Sequence, residues 1–587
     1  MSSCDDRQHV ILATLNAKYI HTSLALRYLK EHCRQAENCS IAIKEFTINQ
    51  STRAIMAELF LAQPEVLGFS CYIWNIQEIL AICDDYKRVS PETSIILGGP
   101  EVSYDADEIL LSHPGVDFIV RGEGEDTLLQ LLAALPQKHG FEQISGLSYR
   151  VQDAIVHNPH RAWMPDLDRI PFPYADGLGM MTDQIIYYES SRGCPFRCSY
   201  CLSAAQPGIR NFSMARVEAD LEQLLSQPVR EIKFVDRTIN LDEARFRAIM
   251  EFIISRQGSS QVHFEVDAAL FSDLMLEFLE GVPKGLFNFE VGVQTTYEPA
   301  LRAVRRRMDW KRLSSNVKRL KAAGNIHLHL DLIAGLPGED LTRFAESFNM
   351  VYELQPHYLQ LGFLKLLKGS PLYRESDHYG YICQSQPPYQ VLANHHLNYG
   401  QIAHLEDIEE VLDKYYNSGN MPVTIDCLIK NAYHSRPMDF YSDLADFWRN
   451  NGWFGIGHRQ ESLYLYLLEF VRRIHPQHQD LAVEKLKYDY LCRHHTHGLP
   501  PGLASCNPGD INDRIYRLAS NQEFIDHYVP HVATLSPRDR KKLLHLEYFR
   551  FDPLGENDQD KPALILFAYD PIRKIAHALV RMGEGLS

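Results

Sequence analysis

The chain is short of positive charge. Lys and Arg number 59 against 75 Asp and Glu over 587 residues, a formal net charge of −16. A large nucleic-acid footprint needs basic surface, so that class of partner is set aside. No apolar run reaches the ~18 residues that mark a membrane-spanning helix. Met1 to Asn16 has no basic start followed by an apolar core, so no secretory signal is expected. Twelve cysteines are too sparse in so long a chain for a disulfide framework, and a reducing compartment, the cytoplasm, is expected. Repeats and low-complexity tracts are missing too. What remains is an ordinary globular composition, 45% apolar and 23% charged, in a chain long enough for several domains.

Against that plain background one loop stands out, Ser190-Ser191-Arg192-Gly193-Cys194-Pro195-Phe196-Arg197-Cys198-Ser199-Tyr200-Cys201. Cysteine thiolates hold iron–sulfur clusters, and a cubane normally takes four. Three from one loop, spaced CxxxCxxC, would leave one iron open, as catalytic metal sites require and structural ones avoid. Zinc, or three unrelated buried cysteines, are the plainer readings. Zinc wants a nearby fourth ligand, and after Cys201 no Cys or His occurs before His263. The flanks add an apolar strand, Gly193 at a tight turn and the aromatic Tyr200 before the last cysteine. With those flanks the loop resembles the cluster loop of radical S-adenosylmethionine (radical SAM) enzymes. The resemblance implies a [4Fe–4S] cluster on Cys194, Cys198 and Cys201, the catalytic centre. S-adenosyl-L-methionine (SAM) would chelate its open iron and be split by one electron into methionine and a 5′-deoxyadenosyl radical.

Residues 1–145 alternate short apolar runs with helical patterns. The runs are His9–Leu15, Ile41–Thr47, Val66–Ser70, Ser94–Leu97 and Val116–Val120. This pattern predicts a Rossmann-like, flavodoxin-like α/β domain with a parallel sheet, whose ligands bind beyond the carboxyl ends of the strands. The loops at that edge include Gly68-Phe69-Ser70-Cys71-Tyr72-Ile73-Trp74-Asn75, Leu97-Gly98-Gly99-Pro100-Glu101-Val102-Ser103 and Arg121-Gly122-Glu123-Gly124-Glu125. Glycines let backbone approach a ligand, and Tyr72 and Trp74 offer flat walls. The set resembles the cobalamin-binding domain that precedes many radical SAM cores. It implies cobalamin contacts from Tyr72, Trp74, Asn75, Gly98, Gly99, Pro100, Gly122 and Gly124. The DxHxxG loop that supplies a cobalt-ligating histidine in many such proteins is missing: His21 has neither its Asp nor its Gly. A base-off cobalamin without a histidine ligand is implied, and His21 reads as a packing or capping residue. A Rossmann-like fold that binds a nucleotide, or nothing, is the plainer alternative.

Residues 146–183 are loop-rich, with Pro159, Pro165, Pro171 and Pro173, and read as a linker. Over 184–368 six strand-like runs follow: Gln184–Tyr188, Glu231–Val235, His263–Val266, Phe287–Val291, His327–Leu332 and Tyr358–Phe363. With a helix in each gap they predict a partial (β/α)6, TIM-like barrel, whose chemistry sits at the strands' carboxyl ends. The cysteine loop follows the first of them. Many radical SAM cores carry Gly-Gly-Glu after strand two; here the chain reads Asp236-Arg237-Thr238, so Asp236 is the candidate for the SAM amino group. Asp267 closes strand three beside Glu265, and strand four holds Glu290, Gly292 and Gln294, similar to the family's Gly-x-Gln phrase. With Tyr200, these residues are the candidate SAM set.

The segment from Arg302 to Lys321 is strongly basic. A solvated helix face is the plain reading, and a docking site for an acidic electron donor, flavodoxin or ferredoxin, the sharper one. Residues 369–587 read as a mainly helical domain resembling one of uncharacterised role found after some cobalamin-type cores. Cys492-Arg493-His494-His495-Thr496-His497 has the look of a metal cluster, although such runs more often close a helix. Together the resemblances imply a cobalamin-dependent radical SAM methyltransferase, of the class B type. It would methylate an unactivated carbon of a small-molecule or peptide substrate through the deoxyadenosyl radical and methylcobalamin. A cobalamin-assisted rearrangement or ring contraction, and a non-enzymatic cobalamin or iron–sulfur sensor, are the alternatives. A tRNA methylthiotransferase fits poorly, because the first domain has no three-cysteine set placed for a second cluster and the chain is acidic.

Overall fold

A computed structural model describes residues 7–582 apart from 37, 153, 206–207, 257, 259, 496–497, 556–560 and 573–574. The chain divides into two units: residues 1–347 with 354–399, and residues 348–353 with 400–587.

The first unit opens on a seven-stranded sheet. Its strands are β1 Gln8–Asn16, β2 Cys39–Thr47, β3 Val66–Ser70, β4 Ser94–Gly98, β5 Phe118–Val120, β6 Leu147–Val151 and β7 Ala154–His157. They lie in the order β2-β1-β3-β4-β5-β6-β7, the first five parallel and the last two antiparallel. The 2-1-3-4-5 order is the flavodoxin-like one, with its switch point between β1 and β3. β3 is buried at every position, as a central parallel strand covered on both faces must be. Alternate residues of β1 enter two separate cores: Ile11, Ala13 and Leu15 on one face, Val10 and Leu12 on the other. β6 and β7 come from the segment read as linker, so the sheet runs past residue 145. Their short alternating runs sit among prolines and turn residues, which hides them in the sequence.

The second sheet has six parallel strands: β8 Ile185–Tyr188, then, past the hairpin β9 Ser191–Cys194 and β10 Gly208–Asn211, β11 Glu231–Phe234, β12 Gln261–Val266, β13 Phe287–Gln294, β14 His327–Ala334 and β15 Tyr358–Phe363. Spatial order follows chain order from β8 to β15, giving the expected open (β/α)6 barrel. Burial alternates strictly along β13 and β14. Phe289, Val291, Leu328 and Leu330 are wholly buried, while Glu290, His329 and Asp331 stand between them on the other face. β8 is an edge strand, and an uncovered edge invites pairing with other chains. Here the loop after β1 covers it: Ile185 N donates to Ile20 O at 2.7 Å and Thr22 Oγ1 to Ile185 O at 2.9 Å.

The second unit is mainly helical, with helices that include Tyr399–Leu412, Pro422–Ala432, Pro437–Asn450, Gln460–Ile474 and Gln479–Arg493. A three-stranded antiparallel sheet, Leu544–Phe549, Ala563–Tyr569 and Ala576–Arg581, follows them. These strands were not among the elements expected from the sequence. Among the described residues no helix is long and apolar enough to cross a membrane.

Candidate functional site

The cysteine loop is built where β8 ends. Gly193 has φ +98°, and a Cβ there would stand 2.2 Å from the Gly208 carbonyl oxygen. Only glycine lets β10 pair this closely with β9. Asp236, at the end of β11, is 1% exposed and accepts three hydrogen bonds: Ser190 N at 2.8 Å, Ser190 Oγ at 2.8 Å and Ser191 Oγ at 2.5 Å. This corrects the expectation for Asp236. Its carboxylate is spent on the root of the cysteine loop and does not line the ligand cavity. Further along, Ser199 N donates to Val304 O at 2.9 Å and Leu372 N to Ser199 O at 2.8 Å, so the loop is sewn to two other barrel segments.

Cys198 is buried, Cys194 and Cys201 partly so. Burial pushes the Cys194 thiol up, and the charges of Cys201 and Cys198 act on it in the same direction, so the three share one neighbourhood. Yet among the described residues no three His, Cys, Asp or Glu side chains are placed to hold a single metal ion. In an iron–sulfur cluster each thiolate would bind a different iron. Arg306 completes the loop's surroundings. Its Nη1 lies 3.8 Å from Cys198 Sγ and 3.5 Å from Tyr200 Oη, and its Nη2 donates to the Gly292 carbonyl.

Beside the loop, at the strands' carboxyl ends, lies a polar cavity of about 210 Å³. Asp267, Glu290 and Gln294 line it, and Glu265 and Asp331 join them. Gln294 has φ +71° at a bulge in β13, and its amide folds over Gly292, where a Cβ would be 2.5 Å away. The Gly-x-Gln phrase is thus a steric pair. Glu290 sits between His263 Nε2 at 2.9 Å and Lys233 Nζ at 3.1 Å. Burial disfavours its charge, but these partners outweigh that and hold its carboxyl at about 2. At Glu265 burial outweighs the nearby charges of Arg237 and Lys233 and pushes the carboxyl up to about 7. Arg237, Arg306 and Arg307 supply the cavity's positive charge. Sequence reasoning missed Arg237 and Arg306 as site residues. The second stood inside the basic segment, with nothing local to separate it from its neighbours.

That segment is not a uniform basic face. Arg302 pairs with Glu298 at 3.1 Å, Arg305 with Glu375, and Arg319 with Glu280 at 2.5 Å, while Arg306 and Arg307 turn to the cavity.

The other candidate residues lie on the carboxyl edge of the first sheet, where four loops link into one rim. Asn75 is fully buried; its Nδ2 donates to Leu15 O and Ser70 O, both at 3.1 Å, and its Oδ1 accepts from Tyr72 N at 2.7 Å. Its amide therefore shapes the loop and is not left for a ligand. Tyr72 and Trp74 stack, with ring centroids 4.4 Å apart and planes 4° off parallel. Cys71 N donates to Gly98 O at 2.7 Å, and a Cβ on Gly99 would stand 2.5 Å from Cys71 O. Gly99 is thus required by the neighbouring loop, and Gly98 and Pro100 flank that contact. Ser103 Oγ links Gly99 O at 2.7 Å to Gly122 N at 3.4 Å. Gly122 has φ +81° and open space where a Cβ would be, while Gly124 packs on Leu29. His21 spends Nδ1 on Tyr187 Oη at 2.7 Å, the packing role expected of it. Tyr72 is pushed up to about 12 by burial, and the charges of Arg237 and Glu189 reach it, so rim and barrel cavity are neighbours.

In the second unit, His494 stacks on Tyr490 at 4.4 Å, and His495 Nε2 contacts Lys542 O at 2.6 Å. They are packing histidines; Thr496 and His497 lie outside the described residues.

Comparisons with known proteins match three stretches of the chain. Residues 10–132 match the B12 binding domain, 188–351 the Radical SAM superfamily and 377–567 a protein family of unknown function, DUF4080. A cobalamin-dependent radical SAM methyltransferase of Streptomyces tokunonensis, TokK, is 26% identical over 336 residues, 53% of this chain and 48% of that protein. The chain spans about half the length of the curated relatives it matches. Among solved structures, the cobalamin-dependent SAM radical enzyme OxsB aligns over 83% of both chains at 16% identity, with a TM-score of 0.60. The methyltransferase TsrM of Kitasatospora setae covers 64% of this chain and 77% of its own at 15% identity, with a TM-score of 0.54. These two likenesses are of fold.

Proposed function

We propose, for a chain that joins a B12-binding domain to a radical SAM domain and is homologous to cobalamin-dependent radical SAM methyltransferases, that it transfers a methyl group to an unactivated carbon. One observation carries the reading. The cysteine loop and the cobalamin-type rim border the same region, since Glu125 and Glu123 of the rim's last loop pair with Arg192 and Arg210 of the hairpin that carries Cys194. When bound, a [4Fe–4S] cluster with SAM supplies radical chemistry and cobalamin supplies methyl transfer; the protein's part is to bind, orient and exclude water.

Cys194, Cys198 and Cys201 would hold the cluster, with Arg306 offsetting thiolate charge at Cys198. Glu265, Asp267 and Gln294 offer acceptors and a donor to the hydroxyl, amino and carboxylate groups of SAM. Tyr72, Trp74, Gly98–Pro100 and Gly122 would border cobalamin. His21 spends Nδ1 on Tyr187 Oη and so reads as a packing residue. The substrate is a small molecule or peptide that reaches the shared region, and a flavodoxin- or ferredoxin-type donor supplies electrons in a reducing cytoplasm. Arg302, Arg305 and Arg319 are paired internally, and docking of that donor on the rest of the segment weakens with added salt.

Anaerobic reconstitution followed by iron, sulfide and cobalamin analysis tests the cofactor pair. Candidate substrates, incubated with SAM deuterated in its methyl group, then test transfer by product mass. A product without added methyl points to rearrangement. A holoprotein that never cleaves SAM with reductant present ends the enzyme reading and leaves a sensor.

A further inference from the structure

Two arginines of the cluster hairpin meet the last loop of the cobalamin-type rim. Arg192 stands two residues before Cys194 on β9, and Arg210 opposes it in register on β10. Three carboxylates share their guanidinium groups. Arg192 Nη2 donates to Glu125 Oε1 at 2.6 Å, its Nε to Glu189 Oε1 at 2.7 Å, and its Nη1 lies 3.5 Å from Glu123 Oε1. Arg210 grips Glu123 through both arms, at 2.7 and 3.1 Å. The Arg192, Glu125 and Glu189 side chains are only 13%, 6% and 13% exposed.

Burial disfavours the charge on Glu125, yet Arg192 outweighs it and holds that carboxyl below its ordinary range. Glu125 also opens the helix Glu125–Ala134, where a negative charge is favoured. Glu189 gains less from Arg192, and burial pushes it up. A buried ion network is weak evidence for stability, since desolvation offsets attraction. What a planar guanidinium adds is geometry, because its fork sets angle as well as distance. Glu123 and Glu125 sit on either side of Gly124, on the rim loop that also carries Gly122 at φ +81°. One set of side chains thus belongs both to the cobalamin rim and to the hairpin that carries Cys194.

We infer that Arg192 and Glu125 are positioning residues that couple the two cofactor sites, so that a cobalamin seated on the rim orders the cysteine loop through this pair. Linkage makes the coupling reciprocal. The inference rests on the cobalamin reading above. The test is hydrogen exchange of the anaerobically reconstituted full chain, with and without hydroxocobalamin. In the parent protein, hydroxocobalamin slows exchange of rim peptides over 70–75 and 98–103 and, at least threefold, of the loop peptide over 189–201. In Glu125→Gln and in Arg192→Lys, made separately so that either suffices, rim protection persists and the loop's protection is lost. Loop protection that survives undiminished in a folded variant overturns the coupling alone. No rim protection in the parent protein overturns the cobalamin reading and the coupling with it.

Discussion

Arg306 places Nη1 3.8 Å from the sulfur of Cys198 while its Nη2 rests on the Gly292 carbonyl of β13. One side chain thus joins the cluster loop to the strand end that carries Gln294. A fixed positive charge beside a thiolate in a partly desolvated site acts strongly on it. Arg306→Met is expected to keep its iron and to lose about tenfold in reductive SAM cleavage, a change of ~1.4 kcal/mol in barrier. Arg306→Lys should recover part of that loss. Cleavage at the parent rate in Arg306→Met would show that the charge does not bear on the reaction.

Removing any one of Cys194, Cys198 or Cys201 as alanine should strip the iron. Anaerobically reconstituted parent protein is expected to hold about four irons per chain at this loop. Each variant should hold well under half of that and make no 5′-deoxyadenosine, with its circular dichroism unchanged. Full iron and full SAM cleavage in Cys198→Ala would sink the cluster assignment.

Asp236→Ala leaves three donors at the root of the cysteine loop without their acceptor. Hydrogen bonds to a charged group contribute roughly 1.5–3 kcal/mol each, so a loss on the order of 3 kcal/mol or more is expected. The measurable sequence is a lower unfolding midpoint and faster iron loss, while cobalamin retention stays at the parent level. If Asp236→Ala instead weakened SAM binding without touching iron or stability, the carboxylate would be a ligand after all.

Glu265 gives the pH prediction. Burial raises its carboxyl from 4.5 to about 7 in the folded chain. The fold therefore favours the neutral form. Its contribution to stability is complete below about pH 4.5 and is lost as pH rises through about 7. Glu265→Gln, which cannot ionise, should raise the unfolding midpoint of the cofactor-free protein at pH 8 and leave it nearly unchanged at pH 4. Equal shifts at both pH values would refute the assignment.

Much of the architecture can be read from local pattern. Val66–Ser70 and Tyr358–Phe363 stand in the structure with the bounds the sequence suggests, because an apolar run between turn signals is a local property. The hairpin β6–β7 is less visible, since its residues alternate weakly and its partner β5 lies more than twenty residues upstream. Gly193 was legible as a special position, but its reason differs: the nearby Gly208 carbonyl, and not the turn alone, excludes a side chain.

The sequence by itself determined the cysteine spacing, the strand–helix alternation of both sheets and the order of the domains, since spacing and period are carried by neighbours along the chain. The tertiary structure alone decided that Asp236 anchors the loop, that Asn75 is buried, that Arg306 leaves its basic neighbours to reach Cys198, and that Arg192 reaches Glu125. Each of those roles depends on which strand ends share a layer. Pairing register and packing set that, between residues whose separation along the chain says nothing about their distance in space.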